Sequence, residues 1–207
     1  MSRDPGLVDR AASSLHADAS GVLHGFGHAD PGQQALRREY LDFLGEHDDA
    51  MWRSLGIGHL TASALVMDES GSSVLLTLHP KVGRWLQLGG HCEPGDASVR
   101  AAARREVIEE SGIDQVWISE QPIRLDRHPV PCGGMRSEHL DVQYLALVPD
   151  GSVPVISDES DDLRWFELAD LPSDLDASVD ALIRDARALL AKRQEFLVHR
   201  LDGSFPA

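Results

Sequence analysis

The chain has 207 residues, with 19 Lys and Arg against 34 Asp and Glu, a formal charge of −15. Hydrophobic residues make up 42% and charged residues 26%, which suits one folded domain with an extension and excludes a chain disordered throughout. The negative charge repels a nucleic-acid backbone or an anionic membrane, and no apolar run nears the ~18 residues of a span, so neither partner is expected.

A phosphorylated small molecule remains admissible as a partner if a metal cation mediates. The opening residues lack the apolar stretch of a secretory signal, and the only two cysteines are Cys92 and Cys132. No disulfide framework is therefore expected, and a cytoplasmic location fits.

In chain order, residues 1 to about 30 read as a weakly ordered arm with a short helix around Asp9–Leu15. Over Gln33–Trp52, Leu36, Tyr40, Phe43 and Leu44 recur at helical spacing. Asp30 can cap that helix, and Pro31 suits its first turn. Its apolar stripe needs a partner, either the chain's own sheet or a second copy in a homodimer. Thr61–Met67 and Ser73–Leu78 read as strands of a hairpin around the turn Asp68–Ser72. Trp85–Leu88 leads into the pair Gly89-Gly90, and Ala97–Ser111 is a helix. Strands follow at Gln115–Ile118, Ile123–Asp126, Leu140–Val148 and Leu163–Phe166. Val179–Arg193 closes the chain as a helix. The order predicts an α/β fold, a mixed sheet sandwiched by helices.

The informative stretch is GGHCEPGDASVRAAARREVIEESGI, Gly89 to Ile113. Asp96 or Ser98 can cap its helix, and Gly112 ends it. At about 100° per residue, Glu106, Glu109 and Glu110 fall within an arc of roughly 100°. They share it with Val99, Ala102 and Ala103, which is odd for a solvated helix face. At about 6 Å and an effective dielectric near 20, each carboxylate pair is repelled by ~3 kcal/mol. Either water screens this face or a cation sits there, and Mg²⁺ or Mn²⁺ prefers such oxygen ligands. An isolated E-x-x-E-E is more often a solvated face. The apolar company of these glutamates and the Gly-rich turn before the helix weigh against that here.

These residues resemble the Nudix hydrolase signature, G-x5-E-x7-R-E-U-x-E-E-x-G-U with U bulky and aliphatic. Arg105 to Ile113 matches its second half at every fixed position, and Gly90 matches the opening glycine. There are departures. Asp96 stands where the first Glu is expected, the stretch from Asp96 to Arg105 is one residue longer, and Leu88 replaces a common proline. The resemblance covers roughly Gly58 to Leu190. It implies an α/β/α sandwich on a mixed sheet, with residues 1–55 as an N-terminal helical extension and 56–207 as the Nudix domain.

The resemblance also implies hydrolysis of a nucleoside diphosphate linked to another moiety, with Mg²⁺ or Mn²⁺ as cofactor. It makes Glu106, Glu109 and Glu110 the metal ligands, with the Gly90 carbonyl a further one. Arg105 would orient a glutamate. Glu159, six residues before Trp165, is the first choice for general base. Glu110 or Glu109 come next, and Glu138 and Asp141 after them. The plain alternative for Glu159 is a solvated loop acid.

His91, Cys92, His128, Cys132 and His139 bring a zinc site to mind, but their spacings match no zinc pattern, and free thiols with loop histidines read better. Lys81, Arg84 and Arg136 are candidate phosphate contacts and more often plain surface cations. Two other functions fit the same fold. One is a non-catalytic ligand-sensing Nudix-like domain, disfavoured by the retained glutamates. The other is isopentenyl diphosphate isomerase, whose cysteine context HPVPC does not resemble.

Overall fold

The computed structural model of the protein describes residues 5–132, 135–158 and 160–202, with side chains described over 14–130, 137–158 and 160–192. Its elements are α1 (Pro5–Gly25), α2 (Pro31–Glu46), β1 (His59–Asp68), β2 (Ser73–Leu78), β3 (Trp85–Leu86), β4 (Leu88–His91), α3 (Val99–Ser111), β5 (Trp117–Ile118), β6 (Arg124–Cys132), β7 (Met135–Val148), β8 (Asp162–Glu167) and α4 (Ala177–Asp202).

Eight strands form one mixed sheet, along the path β3-β2-β1-β7-β5. Off that path, β4 pairs with β1, β6 with β7 and β8 with β2. The β1–β7 ladder is parallel and runs from His59 opposite His139 to Asp68 opposite Val148. The other pairings are antiparallel.

Side chains alternate across β1, so each layer takes every second residue. Leu60, Ala62, Ala64 and Val66 pack with Leu15 and Leu23 of α1, Tyr40 and Leu44 of α2, and Val99 and Ala103 of α3. On the opposite face, Leu65 and Met67 meet Val179, Leu182 and Ala186 of α4. The result is the expected sandwich of helices about a mixed sheet.

Residues 5–25 depart from the sequence reading. In place of a weakly ordered arm, residues 5–25 form one helix, and Leu15, Ala19 and Leu23 are at most 1% exposed. In α2, Asp30 accepts the Gly32 N–H at 2.8 Å and Pro31 opens the first turn, as expected. The helix stops at Glu46, short of Trp52. Its stripe is covered within the chain: the Tyr40 hydroxyl donates to the Asp126 carbonyl at 2.6 Å. Gln33 donates to the Leu125 carbonyl at 2.9 Å and accepts the Leu125 N–H at 2.7 Å. This stripe therefore needs no second copy.

β6 runs past Asp126 to Cys132 despite Pro129 and Pro131. Among the described residues it pairs only with β7, and a strand bonded on one side tolerates prolines.

Candidate active site

The loop between β4 and α3 sets the site. Gly89 lies against β1, where an added Cβ would fall 2.2 Å from the Ser63 Cβ. At Gly90 it would fall 2.7 Å from Glu106 Oε1 and 2.9 Å from Oε2. Only glycine lets the backbone come so close to that carboxylate. α3 then starts at Val99, with Ser98 as its cap accepting the Ala101 N–H at 3.0 Å. A second acceptor comes from α1, as Asp18 takes the Val99 N–H at 2.7 Å. Gly112 ends the helix in the left-handed region at φ 67°.

Asp96 is not the cap because it is engaged elsewhere. Its two oxygens accept from Arg105 Nε and an Arg105 terminal nitrogen, each at 3.0 Å, and it also accepts the Glu93 N–H at 2.7 Å. The same guanidinium donates to the His91 carbonyl at 2.9 Å, to Glu106 at 2.9 Å and to Glu109 at 2.8 Å. Asp96, then Glu106 and Glu109, hold Arg105 firmly protonated. Glu110 accepts the Gly89 N–H at 3.0 Å. Glu106 and Glu110 are buried and Glu109 is exposed.

These groups line an open cleft of about 690 Å³. The sequence placed Gly90, Arg105, Glu106, Glu109 and Glu110 together, and all five line this cleft. The structure adds Trp52, Arg53 and Ser54 from the segment after α2, and Ser157 and Asp158 from the loop before β8. No sequence signal marked Arg53, because the motif lies 36 residues beyond it at its nearest point, Gly89. The β8 loop is tied to α3 through the Val155 N–H, which donates to the Ser111 carbonyl at 2.8 Å. Glu159, the first choice for base, lies outside the described residues, as do the side chains of Cys132 and Arg136.

The weaker candidates go elsewhere. Glu138 is paired with Arg127 on the β6–β7 hairpin. Asp141 is buried and accepts from Ser63 at 2.6 Å, Thr61 at 3.0 Å, Gln143 at 3.1 Å and Gln87 at 3.2 Å. Burial pushes its carboxyl up despite those donors. Arg84 pairs with Asp176 at 3.5 Å, and neither it nor Lys81 lines the cleft. Burial also pushes the Cys92 thiol well up.

The donor set fits a hard divalent cation. Three carboxylates of one helix line the cleft together with Gly90, and every one of these candidate ligands is an oxygen. A single guanidinium braces two of those carboxylates, which limits their movement on binding.

The family model of the NUDIX domain matches residues 58–186. The chain belongs to the Nudix family. Among curated relatives, the NAD-capped RNA hydrolase NudC of Stutzerimonas stutzeri (strain A1501) is 32% identical over 123 residues, covering 57% of this chain and 41% of the relative. The NudC of Pseudomonas syringae pv. syringae (strain B728a) is 31% identical over 116 residues, covering 55% of this chain and 38% of that one. The chain thus spans about two fifths of the length of these relatives. A binary complex of the C. elegans Ap4A hydrolase superposes with a TM-score of 0.51 at 25% identity, covering 64% of this chain and 98% of that one. A NUDIX family hydrolase from Clostridium perfringens gives 0.52 at 22%, covering 63% and 97%, which shows the shared Nudix fold. Among the described residues, no helix is long and apolar enough to cross a membrane.

Proposed function

We propose that the protein hydrolyses a pyrophosphate bond in a nucleoside diphosphate linked to another moiety, with Mg²⁺ or Mn²⁺ as cofactor. The observation that supports this reading is that Glu106, Glu109, Glu110 and Gly90 line the same cleft. Those three carboxylates and the Gly90 carbonyl would hold the cation. When bound, it supplies charge neutralisation for the pyrophosphate and lowers the pKa of an attacking water.

The chain's own residues do the positioning. Arg105 fixes the Glu106 and Glu109 carboxylates, and Asp96 fixes Arg105 in turn. The Gly89 N–H anchors Glu110. Arg53 offers a positive charge at the cleft of an otherwise acidic chain, which favours an anionic substrate. Glu159 is the first choice to accept the proton of the attacking water, because it follows the cleft-lining Ser157 and Asp158 in sequence.

The names of the relatives support the substrate class, since NAD and Ap4A both join nucleosides through phosphoanhydride bonds. The charge of −15 favours a small substrate over a nucleic acid polymer, and a cytoplasmic setting would supply it. The test is a panel of nucleoside diphosphate conjugates and capped RNA, incubated with Mg²⁺ and read by product separation. Hydrolysis of a small conjugate, abolished by chelator, is the expected result. Equal activity without divalent cation, or binding of every conjugate without cleavage, would sink the reading.

A further inference from the structure

Three histidines distant in sequence meet beside the cleft. His59 opens β1, His139 faces it across the parallel ladder, and His91 ends β4. His91 is opposite Thr61, two residues along from His59, so the strand period turns both rings to the same face. Ring centroids are 5.0 Å apart for His59–His91, 4.8 Å for His59–His139 and 5.1 Å for His91–His139. One nitrogen from each ring lies within 4.8 Å of the other two.

His59 is fully buried, and neither of its ring nitrogens has a hydrogen-bond partner among the described residues. The Nε2 of His91 is buried and unpartnered in the same sense. Leaving such an atom unsatisfied costs about 1–3 kcal/mol, and a fold seldom gathers several without a reason. We propose that His59, His91 and His139 form a transition-metal site that takes Zn²⁺ or a cation of similar softness, separate from the oxygen ligands of α3.

The chemistry of the donors selects the cation. Imidazole nitrogen suits Zn²⁺, Ni²⁺ and Cu²⁺, whereas Mg²⁺ and Ca²⁺ need oxygen. Zinc–nitrogen bonds of about 2.0–2.1 Å put tetrahedral ligands roughly 3.3 Å apart, so the ring nitrogens would close by up to about 1.5 Å around the ion. Three histidines leave a fourth position for a further ligand, and one of the three, His91, also lines the cleft. His128 stands beside the set, 5.4 Å from His139, with its Nδ1 held by Asp126 at 2.8 Å.

The test uses the full chain, stripped with chelator and titrated with Co²⁺ and with Zn²⁺. Cobalt should give the strong visible absorption of a four-coordinate site, and Zn²⁺ should displace it at one ion per chain. His59→Gln and His139→Gln should each weaken Zn²⁺ binding by at least roughly a hundredfold, since loss of outer partners alone costs 10–100-fold. Glu109→Gln and Glu110→Gln should keep both the absorption and the Zn²⁺ affinity. If the histidine variants do not fold, nitrogen spectra of ¹⁵N-histidine in the wild-type chain still decide, with the three ring signals shifting together on one equivalent of Zn²⁺. Absence of the cobalt band, its survival in both histidine variants, its loss in the glutamate variants, or unmoved histidine signals would each overturn the site.

Discussion

Asp96 and Arg105 face each other through two hydrogen bonds of 3.0 Å each, although the stretch between them is one residue longer than the family signature. The shorter carboxylate reaches its partner from the longer stretch, so the brace behind the glutamates is kept. Asp96→Asn removes the charge from this fork and should lower stability by about 1–3 kcal/mol, read from the urea midpoint. Activity should fall with it, because Arg105 then holds Glu106 and Glu109 less firmly. An unchanged midpoint would show that Arg105 is secured by its other partners alone.

Glu109→Gln and Glu110→Gln should each lower kcat at least roughly tenfold while circular dichroism stays native, because each removes a charge facing the cation. Gln at 110 can still accept the Gly89 N–H, so the loop should hold its place. Two variants with full kcat would refute the carboxylate assignment.

Asp18 of α1 caps α3 from outside that helix. Asp18→Ala should cost about 1 kcal/mol, as loss of a capping acceptor does. In a chain of this size that lowers Tm by about 2–4 °C, measurable by calorimetry. Asp18→Asn keeps an acceptor oxygen and should recover most of the loss.

The histidine set predicts an acid limb in the metal-free protein. Burial, with neighbouring cationic groups, holds His59 down to about 4 and His139 down to about 3, while His91 is also lowered. Folded pKa values below the ordinary 6.5 mean that the unfolded chain binds more protons as the solution is acidified. Their contribution is therefore present above about pH 6.5 and is lost as pH falls through about 4 and then about 3. Melting curves from neutral to acid pH should show a steeper loss for wild type than for His59→Gln. Parallel curves would contradict this.

Deleting residues 1–55 would strip Leu15, Leu23, Tyr40 and Leu44 from Leu60, Ala62 and Val66 of the sheet, and would remove Arg53 from the cleft. The truncated chain should scatter light at lower temperature than the whole chain. Any soluble fraction should keep metal-dependent hydrolysis with a raised KM. An equally stable fragment with unchanged KM would show that the extension serves neither layer nor cleft.

The site helix was legible because a helix with fixed spacing carries its own geometry: Glu106, Glu109 and Glu110 share an arc wherever the helix lies. The hairpin, the caps at Asp30 and Ser98 and the stop at Gly112 were likewise local signals. α1 was less legible because Ala19 fills a core position between Leu15 and Leu23, and alanine does not announce a stripe. Arg53, Asp18 and His59 could not be read at all from spacing, and the spacing of His91 and His139 matched no zinc pattern. Their partners are brought near by strand order and register, with His59 and His139 80 residues apart along the chain.

The unbroken β1–β7 ladder also limits how this sequence can drift. Neighbours on β1 serve opposite layers: His59, Thr61 and Ser63 belong to the polar face, and Leu60, Ala62 and Ala64 to the helical core. One inserted residue would invert every later position, sending hydroxyls under α3 and leucine among the carboxylate partners. Length changes are therefore expected to survive in the turns at 69–72 and 149–153 and to be purged from 59–68. Single-codon insertion scanning with a folding reporter would reveal β1 as a silent gap between two tolerant peaks.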